Sequence, residues 1–325
     1  MKKALIVGID YYADISSLYG CVNDAKAVKQ TLERHADGSI NFSVNLLCSS
    51  GPRQYVCRSE LRAALIELFT SKVETALFYF SGHGHVDDLS GYLITSECSF
   101  GDDGLSLNDI LVLANRSPAS NKIVILDSCH SGAVANSLNS RKLSAEIAEG
   151  VSFLSASTSN QYAVEINGSG LFTTAFINAL NGDAADILGN VTLNSAYAYI
   201  ERSFGLWEQT PVFKNNINHL VPLRNAQAPI VLRDLLAITE LFPEGEGVIQ
   251  LDPSYLPQFK GRSRQWPAPD PQKTEIYRIL LKYYQLNLVA PVTSLCMMSA
   301  ALESSDCKLT NLGEHYRMLV MKQRI

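Results

Sequence analysis

Two stretches, TALFYFSGHG at residues 75–84 and KIVILDSCHSG at residues 122–132, decide the fold of this chain. Each starts with an apolar run of strand length, rich in β-branched or aromatic residues, and ends in small residues around one reactive side chain. That side chain is His83 in the first stretch and Cys129 in the second. Because reactive groups collect at the carboxyl ends of the strands in an open α/β sheet, the two stretches predict adjacent strand ends that carry a histidine and a cysteine.

The alternation of strand and helix patterns continues through the first two-thirds of the chain. Short apolar runs predict strands at Ala4–Ile9, Phe42–Cys48, Thr75–Phe80, Lys122–Leu126 and Val151–Ser155, with a hairpin around Gly91–Thr95. Helical periodicity predicts helices at Val22–His35, Ser59–Thr70 with Ser59 as its cap, Leu107–Ala114, Phe172–Leu180 and Leu193–Phe204. This order predicts an α/β sandwich around a mostly parallel sheet.

A change of composition near Arg224 predicts a domain boundary. The chain after it begins with a proline-rich, loop-like run and then becomes helical, at Thr274–Leu286, Ser294–Leu302 and Leu312–Met321. We therefore expect two domains, residues 1–225 and residues 226–325, the second small and mainly helical. Its last stretch, KLTNLGEHYRMLVMKQRI at residues 308–325, has a helix-then-strand pattern that is similar to a winged helix.

Composition and charge exclude several classes of protein. The 325 residues are 46% hydrophobic and 18% charged, the balance of a folded chain, and a net charge of −5 argues against general binding of polyanions. The seven cysteines are odd in number and form no CxxC pair, which fits free thiols in a reducing cytoplasm and argues against zinc. The apolar run at Ala4–Ile9 is too short for a signal peptide, and Pro291 interrupts the run at Leu286–Leu302. We expect a soluble cytoplasmic protein with no membrane partner.

A histidine and a cysteine at adjacent strand ends can act as a catalytic dyad. The imidazole of His83 would take the thiol proton of Cys129, and the thiolate would attack a carbonyl carbon. The backbone N–H groups of Gly84 and Cys129 could hold the developing oxyanion. The alternative is a buried thiol and a core histidine, but the glycines beside them would then have no purpose.

Several motifs together resemble a known family. SGHG and DSCHSG each end a predicted core strand, and the first strand ends in GID at residues 8–10. CVNDA follows at 21–25, then SAST at 155–158 and GLFT at 170–173. Over roughly residues 2 to 223 the chain resembles the caspase-like cysteine peptidases (peptidase C14), and among them the metacaspases and the bacterial orthocaspase-type proteins. The separation of 46 positions from His83 to Cys129 is close to the spacing of about 50 that is typical of caspases.

The resemblance implies a caspase-like α/β/α sandwich and a thiol endopeptidase that cleaves after Arg or Lys. Asp127 stands two residues before the nucleophile, where caspases have Gln, and Asp24 matches the second acid of the metacaspase pocket. Cys21 and Ser81 match its smaller lining positions. No Lys or Arg occurs between Lys3 and Lys26 or between Lys142 and Arg202, where a caspase has its pocket arginines.

Two buried carboxylates repel each other unless a cation lies between them, and a substrate guanidinium is such a cation. Each acid also has a simpler interpretation. Asp24 could be an ordinary acid near a helix N-terminus, and Asp127 could orient a neighbouring loop.

The resemblance further implies self-processing in the connection from Ala133 to Gly150. This polar segment carries Arg141 and Lys142, after either of which we expect self-cleavage, although a surface loop with two solvated charges would look the same. Activity would then be latent until the loop is cut or a partner binds.

The resemblance also bears on metal binding. We expect no required cofactor, but some metacaspases use calcium, and the segment between the two motifs offers oxygen ligands at Asp87, Asp88, Glu97, Asp102 and Asp103. Their spacing is not that of an EF-hand. His85 and His130 are expected to be neighbours of the site without a required role.

Two other functions compete with the peptidase hypothesis. One is a catalytically silent scaffold with a caspase fold, which would not need the dyad or the acids. The other is a DNA-binding regulator that acts through residues 226–325, but the modest charge of this region argues against a nucleic acid partner. We expect it instead to dock a regulatory protein, in keeping with a bacterial regulatory or defence system.

Overall fold

The computed structural model describes residues 1–87, 90–100, 103–128, 147–156, 165–166, 168–205, 210–243 and 247–325. The described residues group into two units, Met1–Ala228 and Pro229–Ile325. No helix in them combines the length and the apolar character that crossing a membrane requires.

The first unit alternates strands and helices. Its strands are β1 (Lys2–Ile9), β2 (Phe42–Ser49), β3 (Thr75–Ser81), β4 (Gly84–Val86), β5 (Gly91–Leu93), β6 (Leu105–Ser106), β7 (Asn121–Asp127), β8 (Val151–Ser155), β9 (Glu165–Ile166), β10 (Ser169–Gly170), β11 (Asn190–Thr192), β12 (Val212–Asn216) and β13 (Pro222–Asn225). Its α-helices are α1 (Cys21–Leu32), α2 (Arg58–Thr70), α3 (Leu107–Arg116), α4 (Leu171–Asn178) and α5 (Leu193–Ser203).

A six-stranded sheet in the order β12-β8-β7-β3-β1-β2 forms the centre of this unit. The five strands from β8 to β2 are parallel, and β12 is antiparallel to β8 at one edge. Every residue of β3 is buried, as expected for a central strand that is covered on both faces and therefore reads as a continuous apolar run. The predicted mostly parallel sheet is confirmed, whereas β12 had no counterpart among the predicted strands.

Helices cover both faces of the sheet. Alternate residues of the central strands pack on each side because successive side chains of a strand point in opposite directions. One face packs against α1, α4 and α5, through Ala4, Ile6, Leu77, Tyr79, Ile123 and Ile125. The opposite face packs against α2 and α3, through Leu5, Val7, Phe78, Phe80, Val124 and Leu126. The unit is therefore an α/β/α sandwich, as predicted.

Two predicted helix ends were wrong for identifiable reasons. Helix α2 begins at Arg58 with Cys57 in the capping position, so that Ser59 lies inside the helix rather than capping it. Helix α4 ends at Asn178 and continues as a π-helical turn, in which Gly182 has a φ of 136°. A glycine adopts this conformation at little cost, and the π-helical turn, which includes Leu180, ends just after it.

The second unit combines helices with a small sheet. Its elements are α6 (Leu232–Leu236), α7 (Ile238–Leu241), β14 (Val248–Gln250), α8 (Pro271–Gln285), β15 (Val289–Pro291), α9 (Met297–Leu302), β16 (Asp306–Leu309) and α10 (Asn311–Met321). The strands form an antiparallel sheet in the order β14-β16-β15, which the sequence did not predict.

The helix-then-strand pattern predicted for residues 308–325 was wrong. The strand β16 comes first and the helix α10 follows, with the Thr310 hydroxyl accepting a hydrogen bond from the Gly313 N–H at 3.0 Å. A Cβ on Gly313 would lie 1.9 Å from the Leu288 carbonyl oxygen, so the helix packs this closely only with glycine there. The order of elements thus differs from the one on which the winged-helix comparison rested.

One buried acid organises the helices of the second unit. Asp234 of α6 has a side chain that is 1% exposed, and it forms ion pairs with Arg278 at 3.1 Å and Lys282 at 2.9 Å. The hydrogen bond from Arg278 lowers the pKa of Asp234 below its usual value. Since both cations lie on α8, this cluster ties α6 to α8.

Candidate active site

Three residues lie side by side where the central strands end. Gly8 pairs with Ser81 across β1 and β3, and Ser81 pairs with Asp127 across β3 and β7. Because side chains alternate along a strand, Ser81 and Asp127 lie on the same face as Tyr79, the face that α1 and α4 cover. A Cβ on Gly8 would lie 2.4 Å from the Cys21 carbonyl oxygen, so this glycine lets α1 begin close to the strand ends.

The start of α1 is set by a residue that the sequence analysis did not single out. The Asp10 carboxylate follows β1 and accepts hydrogen bonds from the N–H groups of Cys21 at 2.9 Å and Val22 at 3.3 Å. Carboxylates are favoured at helix N-termini, where N–H groups have no partner within the helix. Asp10 therefore positions the turn of α1 that carries Cys21 and Asp24.

His83 follows β3 by two residues, and its ring has a defined partner. Its Nε2 lies 2.8 Å from the carbonyl oxygen of Ser16. A carbonyl oxygen only accepts hydrogen bonds, so Nε2 carries the proton in this contact. In the neutral ring Nδ1 is then the nitrogen with a lone pair, and it is available to accept a proton.

The backbone of His83 is held from both sides. Its N–H donates to the Tyr12 hydroxyl at 2.7 Å, and its carbonyl oxygen accepts from the Ile94 N–H at 3.0 Å. The Tyr12 and His83 rings lie 4.7 Å apart between centroids. Burial raises the pKa of Tyr12 well above its ordinary value, so the hydroxyl stays neutral. A Cβ on Gly82 would lie 2.7 Å from the Tyr12 oxygen, and glycine is therefore needed for this contact.

The two predicted pocket acids come together. Asp24 and Asp127 are 3% and 5% exposed. A Cβ on Gly170 would lie 2.6 Å from one carboxylate oxygen of Asp127 and 3.1 Å from one of Asp24, so both carboxylates approach the same point. The structure thus places them at the first turn of α4, although they lie on different elements of the chain.

The first turn of α4 donates hydrogen bonds to both acids. The Gly170 N–H donates to Asp24 at 3.0 Å, and the Thr173 hydroxyl donates to Asp127 at 2.6 Å. The positive end of the helix dipole also favours carboxylates at this place. In the sequence, GLFT at 170–173 is only a point of resemblance to the family. The contacts of Gly170 and Thr173 with the acids depend on the fold, so they could not be predicted.

The remaining predicted pocket residues surround the acids. Cys21 and Ser81 are buried, at 4% and 2% exposure. The Tyr79 hydroxyl, which was not predicted to belong to the site, lies 2.5 Å from the Thr173 oxygen. Burial, and after it the charges of Asp127 and Asp24, raise the pKa of Tyr79 well above its ordinary value.

Several predicted residues lie outside the described part of the chain. They are Cys129, His130, Arg141 and Lys142, together with Asp88 and Asp102. Ser128, which precedes the cysteine, is buried after the end of β7. Gly84, the other predicted source of an oxyanion-binding N–H, is the first residue of β4 and lines the same small pocket as His83.

The described acids between the two motifs accept hydrogen bonds from backbone N–H groups. Asp87 accepts from the Ser90 N–H at 2.7 Å, Glu97 from the Arg58 N–H at 2.6 Å and Asp103 from the Phe100 N–H at 3.1 Å. No group of three or more metal-binding side chains occurs among the described residues. The expected calcium ligands also include Asp88 and Asp102, which lie outside the described residues, so calcium binding stays a prediction.

A mostly parallel sheet between helices, with a histidine after one central strand and a buried acid at the end of its neighbour, defines the caspase-like class of α/β proteins. The sequence profile of the caspase domain matches residues 1–236, and the chain belongs to this family of cysteine peptidases. The resemblance inferred from the motifs is thereby confirmed.

Individual relatives cover shorter regions. Metacaspase-1 of Cryptococcus neoformans is 32% identical over an alignment of 144 residues, and the match covers 40% of this chain and 32% of that protein. Metacaspase-6 of Arabidopsis thaliana is 33% identical over 144 residues, and the match covers 40% of this chain and 38% of that protein. The chain thus spans about a third of the length of these relatives. Among solved structures, protein GSU0716 of Geobacter sulfurreducens has a similar fold, with a TM-score of 0.51 at 17% identity over 70% of this chain and 98% of that one.

Proposed function

We propose that the chain is an endopeptidase of metacaspase type, with Cys129 as nucleophile and His83 as general base, that cleaves proteins after Arg or Lys. The observation that carries the proposal is the hydrogen bond from His83 Nε2 to the Ser16 carbonyl, because it leaves Nδ1 as the proton acceptor. Cys129 follows β7 by two residues, as His83 follows β3, and these strands are adjacent and in register.

The reaction proceeds in two halves. His83 Nδ1 takes the proton of the Cys129 thiol, and the sulfur attacks the carbonyl carbon of the scissile bond. Backbone N–H groups of Gly84 and Cys129 hold the oxyanion. As the C–N bond breaks, His83 returns the proton to the leaving amine, and it then activates the water that hydrolyses the thioester.

The acid pair supports selection of a basic residue before the scissile bond. Asp24 and Asp127 approach one point from two elements, and a planar guanidinium can pair with both at once. Cys21 and Ser81 have short side chains, and Ser81 pairs with Asp127 across β3 and β7. A structural role could account for one buried carboxylate. Two carboxylates that approach the same point repel each other unless a cation lies between them, so the pair favours a basic side chain of the substrate.

The burial of the same pair supports latency. Carboxylates that are at most 5% exposed admit a substrate only after neighbouring residues move. We propose that self-cleavage after Arg141 or Lys142, or a partner bound by residues 226–325, produces this change. A cytoplasmic location fits, since no disulfide joins the described cysteines. The proposed reaction does not require calcium. We propose that the enzyme acts in a bacterial regulatory or defence system.

The histidine's tyrosine partner provides a first prediction. Tyr12→Phe removes the acceptor of the His83 N–H, and a buried N–H without a partner costs about 1–3 kcal/mol. We expect kcat on an Arg peptide to fall about tenfold with KM little changed, because a displaced base impairs the chemistry rather than substrate binding. Tyr55→Phe is the matched control, since Tyr55 is 52% exposed. Equal kcat for the two variants would contradict the positioning role.

The proposed function is tested with the full chain and a panel of fluorogenic peptides that have Arg, Lys or Asp before the scissile bond. The panel is run with and without calcium and with Cys129→Ala as control. We expect cleavage after Arg and Lys that vanishes in Cys129→Ala, and intact-mass analysis should show fragments that end at Arg141 or Lys142 in the wild type alone. Cleavage after Asp would overturn the specificity, and silence of both the panel and the mass analysis would favour the scaffold hypothesis.

A further inference from the structure

A small pocket opens beside the histidine, on the side away from the acid pair. It has a volume of about 200 Å³, and His83 and Gly84 form one of its walls. Its other described walls combine the apolar side chains of Ile15, Ile94, Cys98 and Phe100 with His85 and Ser99. The mechanism proposed above uses His83 and Gly84 but assigns nothing to this space.

The size and lining of the pocket suit one apolar side chain. An apolar cavity of about 150 Å³ holds a benzene ring, so this pocket can take a leucine or phenylalanine side chain but not a larger ligand. Ile94 and Cys98 are 4% and 2% exposed and form a fixed floor, whereas Phe100 is 74% exposed at the rim. An exposed phenylalanine beside an apolar pocket gains burial when a ligand fills it.

The pocket disfavours an acidic side chain. The described residues that line it include no Lys or Arg. At its edge the Ser99 hydroxyl donates to the exposed Asp14 carboxylate at 2.6 Å, which places a negative charge near the opening. A carboxylate that entered would lose hydration without gaining a Lys or Arg partner.

The pocket and the acid pair lie on opposite faces of the sheet, and this arrangement indicates which part of a substrate reaches the pocket. Asp127 lies at the face that packs against α1 and α4. Ile15, Ile94 and Cys98 belong to the core on the opposite face, with α2 and α3. A peptide that places its basic side chain against the acids therefore continues past His83 towards the opposite face.

We infer that this pocket binds an apolar side chain of the residue that follows the scissile bond. The inference rests on the proposed function. When the C–N bond breaks, His83 protonates the amine of that residue, which must then lie against the histidine. The pocket is the concave surface that this position reaches, and its walls select leucine or phenylalanine over alanine or aspartate.

The test uses peptides of one sequence with Arg before the scissile bond and Leu, Phe, Ala or Asp after it. We expect kcat/KM for Leu and Phe to exceed that for Ala about tenfold, the effect of burying part of one apolar side chain, with Asp lowest. Phe100→Ala should reduce the ratio of Leu to Ala at least threefold, roughly the loss of one wall of the pocket. Leu220→Ala, which removes an apolar side chain that is 57% exposed and does not line the pocket, should leave the ratio unchanged.

Binding without cleavage separates this inference from the proposed function. Fluorescence anisotropy measures Kd for the same peptides with the wild-type chain, which is first incubated to allow self-processing and then alkylated at Cys129 to stop turnover. Leu should bind about tenfold more tightly than Ala. That preference without any turnover by the wild type would support the subsite and contradict the peptidase function. Cleavage and binding that are equal within twofold for Leu, Ala and Asp would overturn the subsite and leave the peptidase function standing. An absence of both turnover and a binding preference would overturn both.

Discussion

His83→Gln is expected to lower kcat/KM on an Arg peptide at least about 10³-fold, because general acid–base catalysis contributes about 10²–10⁴ and the same histidine activates the thiol. Glutamine can still donate a hydrogen bond to the Ser16 carbonyl, so the loop should keep its conformation. Its amide cannot accept the thiol proton. The measurement is steady-state hydrolysis, with thermal unfolding to verify that the variant is folded.

Two further measurements separate a catalytic from a structural role. His219→Gln, at an exposed histidine, is the matched control and should leave kcat/KM unchanged. Alkylation of Cys129 at neutral pH, followed by mass spectrometry, should be slower in His83→Gln because an adjacent imidazole favours the thiolate. Unchanged alkylation and unchanged hydrolysis together would show that His83 does not act on Cys129.

Asp127→Asn should lower kcat/KM on an Arg peptide about 10²-fold, since removal of one partner of a buried, hydrogen-bonded charge pair costs about 2–5 kcal/mol. Asparagine keeps the shape of the side chain, and its amide oxygen can still accept from the Thr173 hydroxyl. The expected loss therefore reports the charge rather than the packing. Citrulline, which has the shape of Arg without the charge, provides a second substrate in the same assay.

The ratio of Arg to citrulline cleavage isolates the electrostatic contribution. It should be high in the wild type and should fall about 10²-fold in Asp127→Asn. Asp109→Asn, at an exposed position of α3, is the matched control and should leave the ratio unchanged. An unchanged ratio in Asp127→Asn would mean that Asp127 only holds the first turn of α4 through Thr173.

The contacts around His83 show why part of the site could not be predicted from the sequence. SGHG revealed the histidine because small residues after an apolar run are a local pattern. Tyr12, whose hydroxyl holds the His83 N–H, lies 71 residues away in a loop that has no periodicity. Contacts of this kind depend on how loops return to the sheet, and local propensities do not encode that return.

The second unit shows the same limit for secondary structure. Its helix α8 is 15 residues long and was recognised by its period, although its predicted start was three residues late. The strands β14, β15 and β16 have three or four residues each, too few for alternation to be recognised. They exist because they pair with each other, and that pairing is non-local.

The sequence by itself determined the five parallel strands of the sheet, the class of the protein and the strand ends that His83 and Cys129 follow. Long apolar runs, helical periods and small residues at strand ends are local signals, and they indicate the secondary structure of the segments in which they occur. Only the tertiary structure decided what those residues contact. Asp24 and Gly170 are 146 residues apart, and Asp127 and Thr173 are 46 apart. They meet because burial of apolar faces packs α1 and α4 on the same side of the sheet, which brings two acids and one helix N-terminus to a single point.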